Sequence, residues 1–243
     1  MTGESATKYH RILLKLSGEA LMGDADYGIN KDVLQYMVDE IKSATVLGVE
    51  VGVVIGGGNF FRGLSDSAAS MDRANGDYIG MLATIMNALA LQDALNKSGM
   101  STHVLSALKV GEVIPAYSRD NALSFLGNKE IVIFAAGTGN PFFTTDTAAS
   151  LRALEIDADL MLKATKVDGV YDKDPAKHDD AKRYDTLTYN TVLEKNLGVM
   201  DGAAVALCRD NNLPLCVFNV NHKGALASIL TGTQIGTLVQ AGE

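Results

Sequence analysis

Short apolar runs alternate along the chain with segments in which apolar residues recur every three or four positions. The runs predict strands over 12–16, 49–55, 102–107, 131–135, 158–164 and 215–219, with a last edge strand at 237–239. The periodic segments predict helices over about 31–47, 75–97, 119–126, 145–155 and 201–211. Continuous apolar strands that alternate with helices predict an α/β protein, a three-layer α/β/α sandwich with a mainly parallel sheet of about eight strands.

One segment departs from this alternation. Residues 165–183 are dense in charge and contain Asp168-Gly169 and Asp174-Pro175, so the segment is too polar to be core. It is either a solvated surface loop or a mobile cover over a ligand, because it leaves directly from the end of a predicted strand. The length of 243 residues fits one large domain or two small ones.

The formal net charge of −8 argues against a nucleic-acid partner, because phosphate backbones are bound by basic surfaces. Small phosphate ligands stay open, since they need only a few local cations and backbone N–H groups. Cys208 and Cys216 have neither metal nor disulfide spacing and are expected to be buried free thiols. We find no signal peptide and no run approaching the roughly 18 apolar residues of a membrane span, which predicts a cytoplasmic chain without a membrane partner.

Three predicted strands end in glycine turns, at Ser17-Gly18, Gly56-Gly57-Gly58 and Gly137-Thr138-Gly139. The carboxyl ends of parallel strands open on one edge of a sheet, so together these turns favour a phosphate-binding edge over three plain tight turns. The last turn leads into a helix that begins near Thr145, where bare N–H groups and the helix dipole would favour an anion. The P-loop and dinucleotide-binding glycine patterns are both absent from the sequence.

Three cations stand close to these turns. Lys15 lies inside a short apolar strand, Arg62 follows the triple glycine, and Lys163 ends another strand. Each is either a phosphate ligand that neutralises charge during phosphoryl transfer or a surface charge, and the surface alternative is weakest for Lys15.

Three acids are candidates for the same edge. Asp146 and Asp201 both stand at helix starts, where they either cap the helix or orient the lysines and hold Mg²⁺. Asp77 lies in the long helix over 75–97 and is either a surface acid or an acceptor of hydrogen bonds from a sugar.

Five segments together resemble bacterial uridylate (UMP) kinases of the amino-acid kinase superfamily: Arg11–Ala20, Val51–Arg62, Gly80–Thr84, Gly137–Asp146 and Lys163–Val170. The resemblance runs from Arg11 to about Val239, and GTGNPFFTTD at Gly137–Asp146 is its most specific part. It implies one amino-acid-kinase-like domain over 1–243, with a UMP half over about 10–155 and an ATP half over about 156–240. The implied reaction transfers the γ-phosphoryl group of ATP to UMP in pyrimidine nucleotide biosynthesis, with Mg²⁺ accompanying ATP.

The resemblance also implies roles for single residues. The expected catalytic residues are Lys15, Arg62, Asp146, Lys163 and Asp201. The expected ATP contacts are Lys15, Leu16, Ser17, Gly18, Gly58, Arg62, Thr165, Tyr171 and Asp174. The expected UMP contacts are Gly57, Asp77, Thr138, Gly139, Asn140, Pro141, Phe142, Phe143, Thr144 and Thr145. The Phe pair would be either a wall beside the base or an anchor of the loop in the core.

Regulation and assembly are further implications of the resemblance. The family is hexameric, is activated by GTP and is inhibited by UTP, so a homohexamer with this control is expected. A segment of the family that is linked to the GTP response matches Gly23, Asp24, Ala25, Asp26, Tyr27 and Gly28. His103 and Glu130 stand where relatives carry more basic residues, which predicts weaker activation by GTP.

Two alternatives accompany this interpretation. One is a sister kinase that acts on a carboxylate or a small phosphate, which the Phe142–Thr145 loop argues against. The other is a non-catalytic nucleotide-binding or metal-oxide storage relative of the same fold, which the presence of Lys15, Arg62 and Asp146 together argues against.

Overall fold

An eight-stranded sheet runs through the computed structural model, which describes residues 7–61 and 71–242. Its strands are β1 (Arg11–Leu16), β2 (Glu50–Ile55), β3 (Thr102–Ser106), β4 (Ile131–Ala135), β5 (Leu160–Thr165), β8 (Thr186–Thr188), β9 (Leu215–Asn219) and β10 (Thr237–Gln240). A separate antiparallel hairpin pairs β6 (Val170–Tyr171) with β7 (Arg183–Tyr184). The order in the sheet is β3-β4-β2-β1-β5-β9-β10-β8, and only the β9–β10 pair is antiparallel. The predicted mainly parallel sheet is confirmed.

Helices cover both faces of this sheet. They are α1 (Lys31–Val46), α2 (Arg73–Lys97), α3 (Arg119–Gly127), α4 (Thr145–Glu155), α5 (Tyr189–Glu194), α6 (Gly202–Asp210) and α7 (Ala225–Leu230), with a short 3-10 helix at Gly18–Met22. Apolar residues of α1, α2 and α7 pack into one core cluster, and those of α3 to α6 pack into a second. Because the sheet lies between two cores, β2 and β4 are buried along their whole length. Burial on both faces explains why these strands read as continuous apolar runs.

The two halves of the sheet come from two halves of the chain. Strands β1 to β4 form one side, and β5, β8, β9 and β10 form the other. They meet where β1 runs parallel to β5, and at that junction Lys15 is the register partner of Lys163. Register partners on parallel strands point to the same face of the sheet, so the fold brings two lysines side by side at its centre.

Several short elements were not predicted from the sequence. These are β6, β7, β8, α5 and α7, each of which has six residues or fewer. Such lengths are too short for a hydrophobic period to develop. The charged segment 165–183 therefore contains a hairpin rather than only a loop. Helix α2 begins at Arg73, two residues earlier than predicted, and Asp72 is its N-cap.

Helix α2 bears on the prediction that the chain has no membrane span. It is the one helix in the described part of the chain that is long and apolar enough to cross a membrane by length and composition. Its inner face, which includes Met81, Leu91 and Leu95, packs into a core cluster against the sheet. Thr84 and Asn87 interrupt its apolar residues, so α2 contains no continuous run of about 18 apolar residues, as the sequence indicated. One face of α2 packs as a core helix does, and the opposite face is exposed.

Candidate active site

The three predicted glycine turns lie at one edge of the sheet. They follow β1, β2 and β4, which are parallel neighbours in the order β4-β2-β1. The first two turns touch, because a Cβ on Gly18 would lie 2.6 Å from the carbonyl oxygen of Gly56 and 2.7 Å from the nitrogen of Gly58. No residue larger than glycine fits at position 18 without moving the backbone. The predicted juxtaposition of the turns is confirmed.

A buried charged cluster stands beside these turns. The Nζ atom of Lys15 lies 2.8 Å from Oδ1 of Asp146, and Nζ of Lys163 donates to Oδ2 of Asp146 at 2.7 Å. Lys163 also donates to the carbonyl oxygen of Val199 at 2.5 Å. The three charged side chains are only 11 to 15% exposed, so neither lysine is the surface charge that the sequence left open. We call Lys15, Asp146 and Lys163 the charged cluster.

Two members of this cluster, Asp146 and Lys163, have shifted pKa values. Burial alone would raise the pKa of Asp146, but the ammonium groups of Lys15 and Lys163 outweigh it and lower that pKa. Burial lowers the pKa of Lys163, and the Asp146 carboxylate works against this shift. Two cations on one carboxylate leave one net positive charge in a partly buried site. An anionic ligand would balance that charge.

The start of α4 differs from the prediction. Thr144 is the N-cap, and its hydroxyl accepts hydrogen bonds from the backbone N–H groups of Asp146 and Thr147 at 3.1 and 3.2 Å. The alternative in which Asp146 is a capping residue is therefore wrong. The predicted anion site on bare N–H groups is wrong as well for these two groups, because the Thr144 hydroxyl already satisfies both.

Asp201 is both a cap and a link between helices. It is the N-cap of α6 and accepts from the backbone N–H groups of Ala203 and Ala204 at 3.0 and 3.1 Å. The same carboxylate accepts from the hydroxyls of Thr144 and Thr147. It therefore ties the start of α6 to the start of α4, one turn from the charged cluster.

A cavity of about 250 Å³ opens between the glycine turns and α2, and we call it the α2 cavity. Predicted UMP contacts among its lining residues are Gly57, Asp77, Thr138, Asn140, Phe143, Thr144 and Thr145. Gly58, a predicted ATP contact, lines it too, together with Phe61, Gly76, Gly80, Met81, Thr84 and Gly137. The structure thus brings together residues that are 88 positions apart in the chain, from Gly57 to Thr145.

The loop between β4 and α4 is fastened to α2. The Asp77 carboxylate accepts from the backbone N–H of Phe142 at 2.7 Å, so Asp77 is not a plain surface acid. Phe142 and Phe143 are 68% and 51% exposed, which excludes them as core anchors. Of the predicted contacts outside the cavity lining, Gly139 lies against Ala107 and Pro141 belongs to the same loop.

A second cavity of about 610 Å³ lies under the β6–β7 hairpin, and we call it the hairpin cavity. Its lining includes Thr165, Tyr171 and Asp174, which were predicted to contact ATP, and also Lys163 and Val199. Residues 165–175 of the charged segment therefore contribute to the lining of a cavity, and the interpretation of this segment as a mobile cover over a ligand stays a prediction. Lys163 lines this cavity, and Thr145, the residue before Asp146 in the chain, lines the other, so the charged cluster adjoins both cavities.

Other predicted residues fall around this edge. Ser17 follows Leu16 and accepts from the Ala20 N–H as the cap of the 3-10 helix. Within the segment Gly23–Gly28, the N–H of Gly28 donates to the carbonyl of Asn59, and the Asn59 amide donates to the Gly28 carbonyl, both at 3.0 Å. This segment is thus joined to the triple-glycine turn. Arg62 lies outside the described residues.

The donor set fits Mg²⁺ that arrives with a nucleotide. Across residues 7–61 and 71–242, no cluster of three His, Cys, Asp or Glu side chains could hold a metal ion. The Asp201 carboxylate is engaged by hydroxyls and backbone N–H groups. Oδ1 of the buried Asp146 carboxylate forms an ion pair with Lys15 at 2.8 Å but has no hydrogen-bond partner among the described residues. Mg²⁺ is commonly held by one or two carboxylates and substrate phosphates rather than by a full protein cage.

Three residues that form hydrogen bonds at this edge were not predicted from the sequence. The Thr147 hydroxyl donates to Asp201, and the Val199 carbonyl accepts from Lys163. The Thr84 hydroxyl accepts from the Ala136 N–H, 52 positions later in the chain. Of these three residues, only Thr84 could have been identified from the sequence, because it is a polar residue on the buried face of a predicted apolar helix.

We predict that Asp146→Asn leaves two buried ammonium groups without a counter-charge and lowers the free energy of unfolding by about 3 kcal/mol at pH 7. Urea unfolding measures this loss. Because the pKa of Asp146 is lowered in the folded state, the difference from the unsubstituted chain should shrink as pH falls through that pKa. Asp157→Asn breaks an exposed pair with Arg119 and should cost less than about 1 kcal/mol. Equal effects of the two substitutions would contradict the electrostatic role.

Comparisons with known proteins show the family of this chain. Residues 10–219 match the Amino acid kinase family. The chain is 58% identical over 236 residues to the uridylate kinase of Xanthomonas campestris pv. campestris, covering 97% of this chain and 98% of that protein. It is 57% identical over 235 residues to the uridylate kinase of Pseudomonas aeruginosa, covering 97% and 96%.

Solved structures give the same result. The UMP kinase from Bacillus anthracis superposes with a TM-score of 0.94 at 41% identity, covering 97% of each chain. The UMP kinase from Ureaplasma parvum superposes with a TM-score of 0.90 at 38% identity, covering 95% of this chain and 98% of that one. The chain belongs to the amino acid kinase family and, within it, to the bacterial uridylate kinases.

Proposed function

We propose that this chain is a cytoplasmic enzyme of pyrimidine nucleotide synthesis that transfers the γ-phosphoryl group of ATP to UMP, giving ADP and UDP. The observation that carries the proposal is the charged cluster at the carboxyl edge of the sheet, which adjoins one cavity through Lys163 and the other through Thr145, the residue before Asp146. Phosphoryl transfer needs two anionic substrates held together and their charge neutralised, and this arrangement offers both. The similarity to uridylate kinases over nearly the whole chain supports UMP as the acceptor.

We assign UMP to the α2 cavity and ATP to the hairpin cavity. The predicted UMP contacts Asp77, Thr138 and Asn140 line the first, and the predicted ATP contacts Thr165, Tyr171 and Asp174 line the second. The larger volume suits the larger nucleotide. In this assignment Lys15 and Lys163 lie where the γ-phosphoryl group passes from one cavity to the other.

The chemistry we propose is positioning and charge neutralisation without a protein nucleophile. An oxygen of the UMP phosphate attacks the γ-phosphorus in line, and the bond to the β-phosphate oxygen breaks. Lys15 and Lys163 offset the negative charge on the transferring group, and Asp146 holds both lysines in place before substrates bind. Mg²⁺ bound to ATP supplies further positive charge at the phosphates. Asp201 positions the start of α4 through Thr144 and Thr147. Its expected role in catalysis or in holding Mg²⁺ stays a prediction.

We predict that ADP is released when UMP is the acceptor and not when CMP, glutamate or aspartate replaces it. A coupled ADP assay with each acceptor, with and without GTP, measures this. Turnover with an amino acid would identify a sister kinase. Nucleotide binding without ADP release from any acceptor would identify a non-catalytic relative.

Lys15→Ala should lower kcat on the order of 100-fold, as removal of one electrostatic stabiliser of a transition state does. Lys97→Ala is the matched control, because Lys97 is an exposed lysine paired with Asp93 at the end of α2. Both variants are assayed at saturating ATP and UMP after thermal unfolding has established that they fold. Normal turnover of a folded Lys15→Ala variant would remove Lys15 from the mechanism.

Assembly and regulation extend the proposal. We propose a homohexamer in which the outer face of α2 is an interface, because that face exposes Tyr78, Ile79, Leu82 and Met86 to solvent in the single chain. GTP activation and UTP inhibition belong to the same proposal. The hydrogen bond between Gly28 and Asn59 connects the Gly23–Gly28 segment directly to the triple-glycine turn.

The response to GTP should be weak, as the sequence analysis expects. Glu130 accepts a hydrogen bond from Ser101 at 2.9 Å and lies 3.1 Å from His103. Its carboxylate would repel a triphosphate at these positions. The ADP assay with UMP as acceptor, run with and without GTP, measures this response.

Leu82→Lys should reduce the oligomer mass, because it places a charge on each copy of the exposed apolar face of α2. Sedimentation equilibrium measures the mass. Val46→Lys, at an exposed apolar residue of α1, is the control and should leave the mass unchanged. A monomeric unsubstituted chain would contradict the oligomer, and an unchanged mass for Leu82→Lys would contradict this interface.

A further inference from the structure

Three polar side chains on the inner face of α2 hold the walls of the α2 cavity. Asp77, Thr84 and Asn87 are seven and three positions apart, which places them on one side of a helix. Asp77 holds the Phe142 N–H, and Asn87 donates to the carbonyl of Gly56 at 2.7 Å and exchanges hydrogen bonds with Asn59. Thr84 bonds to the segment that leaves β4. Each side chain fixes a different piece of backbone.

Thr84 uses both hydrogen-bonding functions of its hydroxyl. The Oγ1 atom donates to the carbonyl oxygen of Met81 at 2.7 Å and accepts from the backbone N–H of Ala136 at 2.8 Å. The Thr84 side chain is buried, and Ala136 is buried completely. Because the Ala136 N–H is itself buried, it depends on the Thr84 hydroxyl as its hydrogen-bond partner.

The backbone that Thr84 holds has an unfavourable conformation. Ala136 has a φ of +63°, in the left-handed region where a residue with a Cβ is strained, and Gly137 follows at +58°. Glycine takes such angles freely, but alanine must be held there by its surroundings. The Gly139 N–H closes the turn on the Ala136 carbonyl at 2.9 Å. This bend sets the direction in which the loop 138–145 leaves the sheet.

We propose that Thr84 is a positioning residue for UMP, because its hydroxyl holds Ala136 in the left-handed conformation and so fixes the loop 138–145 around the acceptor. The inference rests on the proposed function for the identity of the acceptor. Thr84 itself lines the α2 cavity and has no place among the lining residues of the hairpin cavity. Its loss should therefore affect UMP far more than ATP.

The test is Thr84→Val, which keeps the shape of the side chain and removes the hydroxyl. We expect the KM for UMP to rise about tenfold, as loss of one buried hydrogen bond does, while the KM for ATP changes less than about twofold. Thr84→Ser keeps the hydroxyl and should restore the KM for UMP. Thr84→Ala is made in parallel, so that a folded variant without the hydroxyl is available if valine disturbs the packing.

Thr45→Val is the matched control. The Thr45 hydroxyl donates to the Lys42 carbonyl three residues earlier in α1, as Thr84 does in α2, but bonds no backbone of the cavity. The Thr45→Val variant should leave the KM for UMP and the KM for ATP unchanged. A general effect of removing a helical threonine hydroxyl would appear in this variant too.

A double variant tests the backbone mechanism. In Thr84→Val/Ala136→Gly, glycine adopts the positive φ without the Cβ penalty, so part of the UMP affinity should return. Failure to recover would overturn the role of Thr84 in holding Ala136. An unchanged KM for UMP in folded Thr84→Val or Thr84→Ala, or equal changes for UMP and ATP, would overturn the proposal as a whole. If the unsubstituted chain and Thr45→Val both fail to phosphorylate UMP, the proposed function itself fails, and this inference falls with it.

Discussion

The salt bridges of Asp146 to two lysines are the interaction on which the rest of this edge depends. Parallel pairing of β1 with β5 puts Lys15 and Lys163 opposite each other near the middle of the sheet. Two ammonium groups held this close in a partly buried place repel each other and lose hydration. One shared carboxylate makes the arrangement tolerable, and it leaves a single positive charge that an anionic phosphate can balance. The same groups therefore join the two halves of the sheet and prepare them for a ligand.

The position of Asp146 in turn fixes the helices around it. Asp146 reaches the lysines only if α4 begins at Thr145, and the Thr144 cap sets that beginning. Thr144 and Thr147 are held by Asp201, the cap of α6, so two helix starts are bonded to each other. Many phosphate sites use bare N–H groups at a helix start. Here the hydroxyl of Thr144 takes the N–H groups of Asp146 and Thr147, and lysine side chains carry the positive charge of the site instead.

The sequence predicted the parts of this structure that depend on local patterns. The buried parallel strands were predicted because they are continuous apolar runs, and Lys15 stood out because it interrupts one of them. The roles of Asp146 and Lys163 stayed open, since their pairing joins residues 17 positions apart in different elements. A carboxylate at a helix start suits a cap equally well, as Asp201 shows by serving as both cap and link. The hairpin β6–β7 and the α2 hydrogen bonds depend on tertiary contacts that no local period records.

The two cavities differ in how their walls are held, and this difference bears on specificity. The α2 cavity is built from glycine turns and a loop that three side chains of one long helix fasten at separate points. The hairpin cavity is lined on one side by Lys163, Thr165 and Val217 of the sheet strands β5 and β9, and on the other by the short hairpin and by loops. Groups held on a rigid helix keep their geometry more closely than groups on loops, and a preorganised site discriminates more sharply between similar ligands.

Under the proposed assignment of UMP to the α2 cavity and ATP to the hairpin cavity, this asymmetry predicts strict selection of the acceptor and looser selection of the donor. UMP and CMP differ at a single edge of the base, so rejecting one of them requires polar groups that do not move. The fixed backbone between Ala136 and Thr145 can meet that requirement because α2 holds it at Ala136 and at Phe142. The strained conformation of Ala136 is in this sense part of the recognition of the acceptor, since the loop keeps its course only while α2 enforces that bend.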